Sequence, residues 1–261
     1  MSDTSSDILI IGAGIAGASA AAELARTHRV ILLERESMPG YHSTGRSAAL
    51  FSEIYGDAPV RALSRASRDF LFNPPAGFAE HPLVKLRGSL YVASKTQLAS
   101  LATFAAQPDV GNAIREISAA EALALCPALR PDYVAAAIIE PDASDVDVNS
   151  LHQGFLRLFK YRGGVLVTDA DVRNLERKGA RWHVTTAAGD FDAAAVINAA
   201  GAWADMVAQL AGAKPKGIQP RRRTALLAEL PGINPDPWPM TIDIDESFYF
   251  KPDAGLLLIS P

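Results

Sequence analysis

Three glycines in Gly12-Ala-Gly14-Ile-Ala-Gly17 follow the spacing G-x-G-x-x-G, and Glu34 stands 22 positions after the first of them. In that spacing the first glycine suits a tight turn, the second lets an anion approach the backbone, and the third lets a helix lie close to a strand. N–H groups at a helix N-terminus attract phosphate, while a carboxylate accepts hydrogen bonds from ribose hydroxyls. Diphosphate and ribose together describe a dinucleotide.

The spacing alone is weak, so the elements around it decide. Residues 7–12 are apolar without alternation, which predicts a parallel strand buried on both faces. Residues 15–27 are alanine-rich and predict a helix, and 29–34 predict a second buried strand. Strand, tight turn, helix and strand within about 30 residues make a βαβ unit, the context the glycine pattern requires. Gly40-Tyr-His-Ser-Thr-Gly-Arg-Ser-Ala-Ala49 shows no period and reads as a loop running into a helix.

From about 78 to 145 the pattern changes. Strands are expected at 86–94 and 133–140, a helix at 97–106, and another after the capping box Ser118-Ala-Ala-Glu121. Asn149 is expected to cap a helix over 150–161, followed by strands at 164–168, 173–176, 182–186 and 191–198 and a helix at 202–211. The expected architecture is α/β. A Rossmann-like domain with a parallel central sheet (1–77 and 146–217) is interleaved with an α+β domain of mainly antiparallel strands (78–145 and 218–261). The chain stops within the strand-like run Leu256-Leu-Leu-Ile-Ser-Pro261, which leads us to expect part of a longer protein.

Composition narrows the partners. With 49% hydrophobic residues, 21% charged residues and a net charge of -4, the chain has no basic excess for nucleic acid. No apolar run reaches the roughly 20 residues that span a bilayer, and the N-terminus lacks the basic start of a signal peptide. A single cysteine, Cys126, fits a reducing compartment and a buried structural thiol, so a cytoplasmic location is expected. His81, His152 and His183 lack partners at ligand spacing, and no metal site is expected.

An acid at Glu34 disfavours a 2′-phosphate, which leaves NAD or FAD. A nicotinamide enzyme would continue from the second strand into another crossover. Here the chain enters a polar loop of small residues, suited to wrapping the flat second half of FAD. The stretches Ile11-Gly-Ala-Gly-Ile-Ala-Gly-Ala-Ser, Leu33-Glu-Arg-Glu, Pro39-Gly-Tyr-His-Ser-Thr-Gly-Arg-Ser-Ala-Ala, Asn73-Pro-Pro-Ala-Gly-Phe, Asn198-Ala-Ala-Gly-Ala-Trp and Glu246-Ser-Phe-Tyr-Phe-Lys-Pro-Asp-Ala-Gly carry a resemblance. The chain resembles the D-amino-acid-oxidase superfamily of FAD-dependent oxidoreductases, and within it the bacterial D-arginine dehydrogenases and related D-amino-acid dehydrogenases.

The resemblance implies non-covalent FAD held by Gly12, Gly14, Ile15, Ala16, Gly17, Glu34 and Arg35, by the loop residues Ser43, Thr44, Arg46, Ser47, Ala48 and Ala49, and by Val172, Ala199, Ala200 and Gly201. Trp203 either shields the nucleotide or packs. The implied reaction moves a hydride from Cα of a D-amino acid to the flavin and then to an unidentified electron acceptor. Hydrolysis of the imino acid gives a 2-oxo acid and ammonia. A planar guanidinium suits the substrate carboxylate. Arg222 is the implied residue, with Arg223 next to it in register, and Tyr249 and Tyr55 are implied over the substrate.

Two positions depart from the D-arginine enzymes, which carry a histidine at Leu50 and a glutamate at Ser89. Without that carboxylate, burying a cationic substrate side chain costs several kcal/mol, so neutral D-amino acids are expected to be favoured. Competing readings are a sarcosine- or glycine-type amine oxidase, a flavin-dependent 2-hydroxy-acid dehydrogenase, and a catalytically incomplete FAD-binding fragment.

Overall fold

The computed structural model describes residues 4–261. In chain order the elements begin with β1 (Ser5–Ile11), α1 (Ile15–Leu24), β2 (Val30–Leu33), β3 (Leu50–Phe51), α2 (Ala58–Phe72), β4 (Val84–Leu86), β5 (Ser89–Ala93), α3 (Leu98–Ala105), β6 (Arg115–Ile117), α4 (Ala119–Leu125), β7 (Ala136–Glu140) and β8 (Ser144–Val146). They continue with α5 (Val148–Tyr161), β9 (Val165–Val167), β10 (Val172–Lys178), β11 (Arg181–Thr186), β12 (Gly189–Asn198), α6 (Ala204–Leu210), β13 (Leu226–Ala228), β14 (Met240–Asp243), β15 (Tyr249–Asp253) and β16 (Leu256–Ser260). The chain divides into two compact units, one of 1–48, 75–83 and 147–221, the other of 49–74, 84–146 and 222–261.

The first unit is built on a six-stranded sheet, β10-β11-β12-β1-β2-β9. β12, β1, β2 and β9 run parallel, and β10, β11 and β12 are antiparallel neighbours. β2 is apolar throughout, and β1 from Ile8 onward, because both faces are covered there. Leu9, Ile11, Ile31 and Leu33 join Leu175, Val184, Phe191 and Val207 in one core, while Ile10, Val30 and Leu32 join Ala21, Ala22 and Phe159 in another. The alanines of α1 let it approach that second core closely. Strand order runs outward from β1 through β2 to β9 on one side and jumps to β12 on the other. This is the switch point at which open α/β sheets bind ligands.

The second unit holds a seven-stranded sheet, β13-β16-β15-β14-β5-β7-β6, antiparallel except for the β14–β5 pair, and a small antiparallel sheet, β3-β8-β4. Leu90, Val92, Ile117, Cys126, Val134, Trp238 and Leu257 form its main core. Cys126 is fully buried at the end of α4, and burial pushes its thiol up.

Several local expectations change. The loop after β2 does not run into a helix. Turns over 39–46 lead to β3, which pairs with β8, and the Ala49 carbonyl accepts from Val146 N–H at 2.9 Å. The first helix beyond is α2, opened by Asp57, whose side chain accepts from Val60 N–H, with Pro59 in its first turn. The cap of α5 is Asp147 rather than Asn149, because its carboxylate accepts the Ser150 N–H at 2.8 Å. The strand expected over 86–94 breaks at Gly88, where φ is +77°. The unit boundaries also shift. Residues 49–74 belong with the second unit, since β3 is held by β8, and 75–83 belong with the first, where Arg157 donates to the Phe78 carbonyl at 2.7 Å.

Candidate functional site

In the first unit a crevice opens at the C-terminal ends of β1, β2 and β12. Its floor is the glycine turn. Gly12 adopts φ +101°, open to glycine at little cost, and a Cβ there would stand 2.5 Å from the Ala199 carbonyl oxygen. Gly12 N–H donates to Leu33 O at 2.8 Å and Ala199 N–H to Ile11 O at 2.8 Å, tying the three strand ends together. Gly14 is the N-cap of α1 and has no side chain to cap it. Thr44 takes that part from the facing loop, its Oγ1 accepting from Ile15 N–H at 3.0 Å.

Glu34 is 8% exposed and carries two backbone bonds, with Oε2 accepting from Ala13 N–H and Oε1 from Glu36 N–H, each at 3.0 Å. A carboxylate oxygen has two lone pairs, so each keeps acceptor capacity for a hydroxyl. One wall is the 40–44 loop, and another is the segment Ala170, Asp171 and Val172 with the face of α6 that presents Met206, Val207 and Leu210. Asn198 fixes the segment between β12 and α6, since its Nδ2 donates to Ala204 O at 2.7 Å and its Oδ1 accepts from Ala200 N–H at 3.2 Å.

The rim is aromatic and cationic. The Arg35 guanidinium lies 4.2 Å from the Trp203 ring centre and the His42 ring 4.6 Å from it, while Arg46 sits 4.8 Å over Tyr41. Hydrogen bonds from His42 and Arg35 hold the Glu36 carboxyl below the usual carboxylate range.

Eleven of the expected cofactor residues line this crevice: Gly12, Gly14, Glu34, Arg35, Ser43, Thr44, Val172, Ala199, Ala200, Gly201 and Trp203. Ile15 and Gly17 contribute from beneath, Ile15 through its bond to Thr44 and Gly17 by packing on the Gly12 carbonyl. Ala16 is exposed on α1, Ser47 and Ala48 follow the loop, and Ala49, at φ 51°, falls in the second unit. Tyr41, Ala170, Asp171, Met206, Val207 and Leu210 also line it and went unmarked in the sequence. The α6 residues share one helix face.

In the second unit Arg223 and Tyr249 come together, the guanidinium 5.7 Å from the ring centre. Arg222 is exposed in the segment before β13, Tyr55 is exposed in the loop before α2, and Leu50 is half-buried in β3. Ser89 is fully buried in β5, directly across from Glu140 of β7. Among the described residues its Oγ has no hydrogen-bond partner.

Glu140 accepts from Ser52 Oγ–H and Glu53 N–H, each at 2.7 Å. Burial raises its pKa, those two bonds oppose the rise, and the charges of Glu53 and Asp142 add to it. The folded chain therefore holds this proton more tightly than the unfolded chain. The resulting stability is complete below the unfolded value, about 4.3, and is lost as pH rises through the folded one. Urea titrations of wild type and Glu140→Gln between pH 4 and 8 are expected to show wild type losing ground to the variant as pH rises. A difference that stays flat with pH contradicts this assignment.

The sequence matches the family described as DAO, FAD dependent oxidoreductase, over residues 7–261. The chain belongs to this family. One component of the anaerobic glycerol-3-phosphate dehydrogenase of Escherichia coli K12 is 31% identical over 216 residues, covering 79% of this chain and 39% of that protein. The glycine oxidase of Geobacillus kaustophilus is 27% identical over 212 residues, covering 76% and 55%. The solved L-alpha-glycerophosphate oxidase of Mycoplasma pneumoniae, with FAD bound, has the same fold at TM-score 0.83 and 18% identity, covering 98% of this chain and 71% of that one. The chain thus spans 39% to 55% of the length of these two curated relatives.

FAD is the cofactor of this family, and the crevice fits its adenosine diphosphate half. The glycine turn offers backbone N–H groups, Glu34 offers a buried acceptor, and Val172, Met206, Val207 and Leu210 give an apolar wall. Among the described residues no group of three or more His, Cys, Asp or Glu is placed to hold a metal, and no helix is long and apolar enough to cross a membrane.

Proposed function

We propose that the protein oxidatively deaminates D-amino acids with neutral side chains. The observation that carries this reading is the Arg223–Tyr249 pair, a guanidinium set against an aromatic ring in a unit that offers no carboxylate at Ser89. Bound FAD supplies the hydride acceptor, and the protein's residues supply orientation.

In the crevice, the Gly14 N–H, the first-turn N–H groups of α1 beyond Ile15 and the Thr44 hydroxyl would hold the diphosphate, and Glu34 would accept from the ribose. Ala199, Ala200 and Gly201 follow the end of β12, and with Val172 these small or apolar residues would let the nucleotide lie close to the backbone. Arg223 binds the substrate carboxylate through its planar fork, and Tyr249 orients the guanidinium. Arg222, next in the triplet, lies exposed in the same segment. Tyr55, from its exposed loop, covers the substrate.

Glu140, though across from Ser89, does not replace the missing counter-charge. The side chain is 2% exposed, and its two oxygens are turned onto Ser52 Oγ–H and Glu53 N–H.

The test is anaerobic bleaching of the flavin in the full-length protein. D-leucine or D-phenylalanine is expected to bleach it with a kcat/KM at least tenfold above that of D-arginine. Arg223→Ala is expected to lower kcat/KM by about 100-fold, since a charge-assisted hydrogen bond is worth about 1.5–3 kcal/mol. Preference for D-arginine overturns the side-chain assignment. Bleaching by sarcosine, by a 2-hydroxy acid or by glycerol 3-phosphate, with none by D-amino acids, overturns the reaction class.

A further inference from the structure

We propose that His152 is a positioning residue for the diphosphate: from beneath the glycine turn it sets the direction in which Gly14 N–H points. This rests on the family's use of FAD and is independent of which substrate is oxidised. α5 is anchored at its start by Asp147, which accepts from both Ser150 N–H at 2.8 Å and Ser150 Oγ–H at 2.7 Å. One turn on, His152 is 3% exposed, with Nε2 2.8 Å from the carbonyl oxygen of Ala13. A carbonyl only accepts, so Nε2 carries the proton, and in the neutral ring Nδ1 does not.

The Ala13 carbonyl and the Gly14 N–H belong to one planar trans peptide, in which oxygen and hydrogen point opposite ways. Anchoring the oxygen on His152 turns the hydrogen to the other side, where Gly14 lines the crevice. Ala13 N–H is fixed independently on Glu34. The glycine turn, permissive by composition, is therefore held from two directions. Without such a hold, a turn containing Gly12 and Gly14 has many conformations to lose on binding an anion.

The same ring supports the facing wall. A Cβ on Gly40 would stand 2.9 Å from His152 Cε1 and 3.0 Å from Nδ1, so the imidazole packs against that backbone, where φ is +81°. Gly40 O accepts from Gly45 N–H at 2.8 Å, closing the loop that carries Thr44. One buried ring thus bears on both the turn and the loop that cap the first helix.

Binding of ADP and of adenosine to the full-length protein freed of FAD tests this, in wild type, His152→Leu and His152→Gln. His152→Leu removes the donor and is expected to weaken ADP at least tenfold while leaving adenosine within twofold, since only the diphosphate needs the Gly14 N–H. His152→Gln keeps an N–H donor and is expected to restore ADP binding to within about fivefold of wild type. Should the leucine variant fail to fold, His152→Met supplies the donorless comparison. Equal losses of ADP and adenosine reduce His152 to a packing residue and overturn the proposal. So does ADP affinity unchanged in the donorless variant, or wild-type protein that binds no ADP. A wild-type protein that binds FAD and ADP but is not bleached by D-amino acids overturns the substrate reading alone.

Discussion

Gly17→Ala is expected to destabilise the protein and abolish its retention of FAD, although alanine is the best helix former. In an exposed helix interior this exchange gains about 1 kcal/mol. Here the added methyl would stand 1.8 Å from the Gly12 carbonyl oxygen and 3.0 Å from its carbon. Overpacking of this kind costs about 1–3 kcal/mol or more. The obstacle is backbone, and that backbone is tied in place by the Gly12 N–H bond to Leu33 O. Either α1 lifts away from β1 or the turn opens, and both spoil the diphosphate seat. Thermal unfolding and flavin content per chain measure the outcome. A variant as stable as wild type with full flavin would contradict the close approach of α1 to the turn.

Asp243→Ala is expected to cost about 3 kcal/mol or more, the largest loss from one polar side chain of the second unit. Asp243 is fully buried at the end of β14. It accepts from Tyr133 Oη–H at 2.6 Å, from Gln97 Nε2 at 2.9 and 3.1 Å, from Ser247 Oγ–H at 2.8 Å, and from the N–H groups of Ser247 and Asp245 at 3.2 Å. Alanine strands all of these donors. Burial alone would raise the Asp243 pKa, but the bonds from Tyr133, Ser247 and Gln97 outweigh it and hold the carboxyl low. Its contribution is therefore present above the unfolded value, about 3.9, and lost as pH falls through the folded one, opposite in sense to that of Glu140. Burial and the bond to Asp243 push Tyr133 up to about 12.

Chemical denaturation at pH 7 should rank Asp243→Ala as more damaging than Asp243→Asn, and that more than Tyr133→Phe. A loss under 1 kcal/mol for Asp243→Ala would refute the assignment, since it lies below the usual cost of stranding a buried donor, about 1–3 kcal/mol. Because Asp243 fixes the turn that leads into Tyr249, KM for the substrate should rise in the same order if Tyr249 orients Arg223.

The βαβ start was legible because its signals agree. Unbroken apolar strands, glycines at fixed offsets and a carboxylate at the second strand's end all require the same turn. Glu34 could be placed from sequence, but not its bonds to Ala13 and Glu36, which depend on how the chain turns after β2. His152 read only as a histidine without partners at metal-ligand spacing, since its acceptor is a backbone carbonyl 139 residues away and spacing does not register carbonyls. α2 was missed although Asp57-Ala-Pro59 is a start signal. Its buried face is thin, and Arg61 is the buried residue, paired with Asp109 at 2.6 Å. The arginine triplet left Arg222 and Arg223 open, because spacing does not register which of them lies by Tyr249; in the fold it is Arg223.

β1 is bonded on one side to β2, formed by residue 33, and on the other to β12, which reaches Asn198. A chain emerging from the ribosome therefore carries an apolar strand with one open edge until nearly 200 residues have been made. Closing so long a loop is slow, and an uncovered strand edge invites pairing with other chains. One edge of β1 thus waits uncovered through the synthesis of all the chain between it and β12.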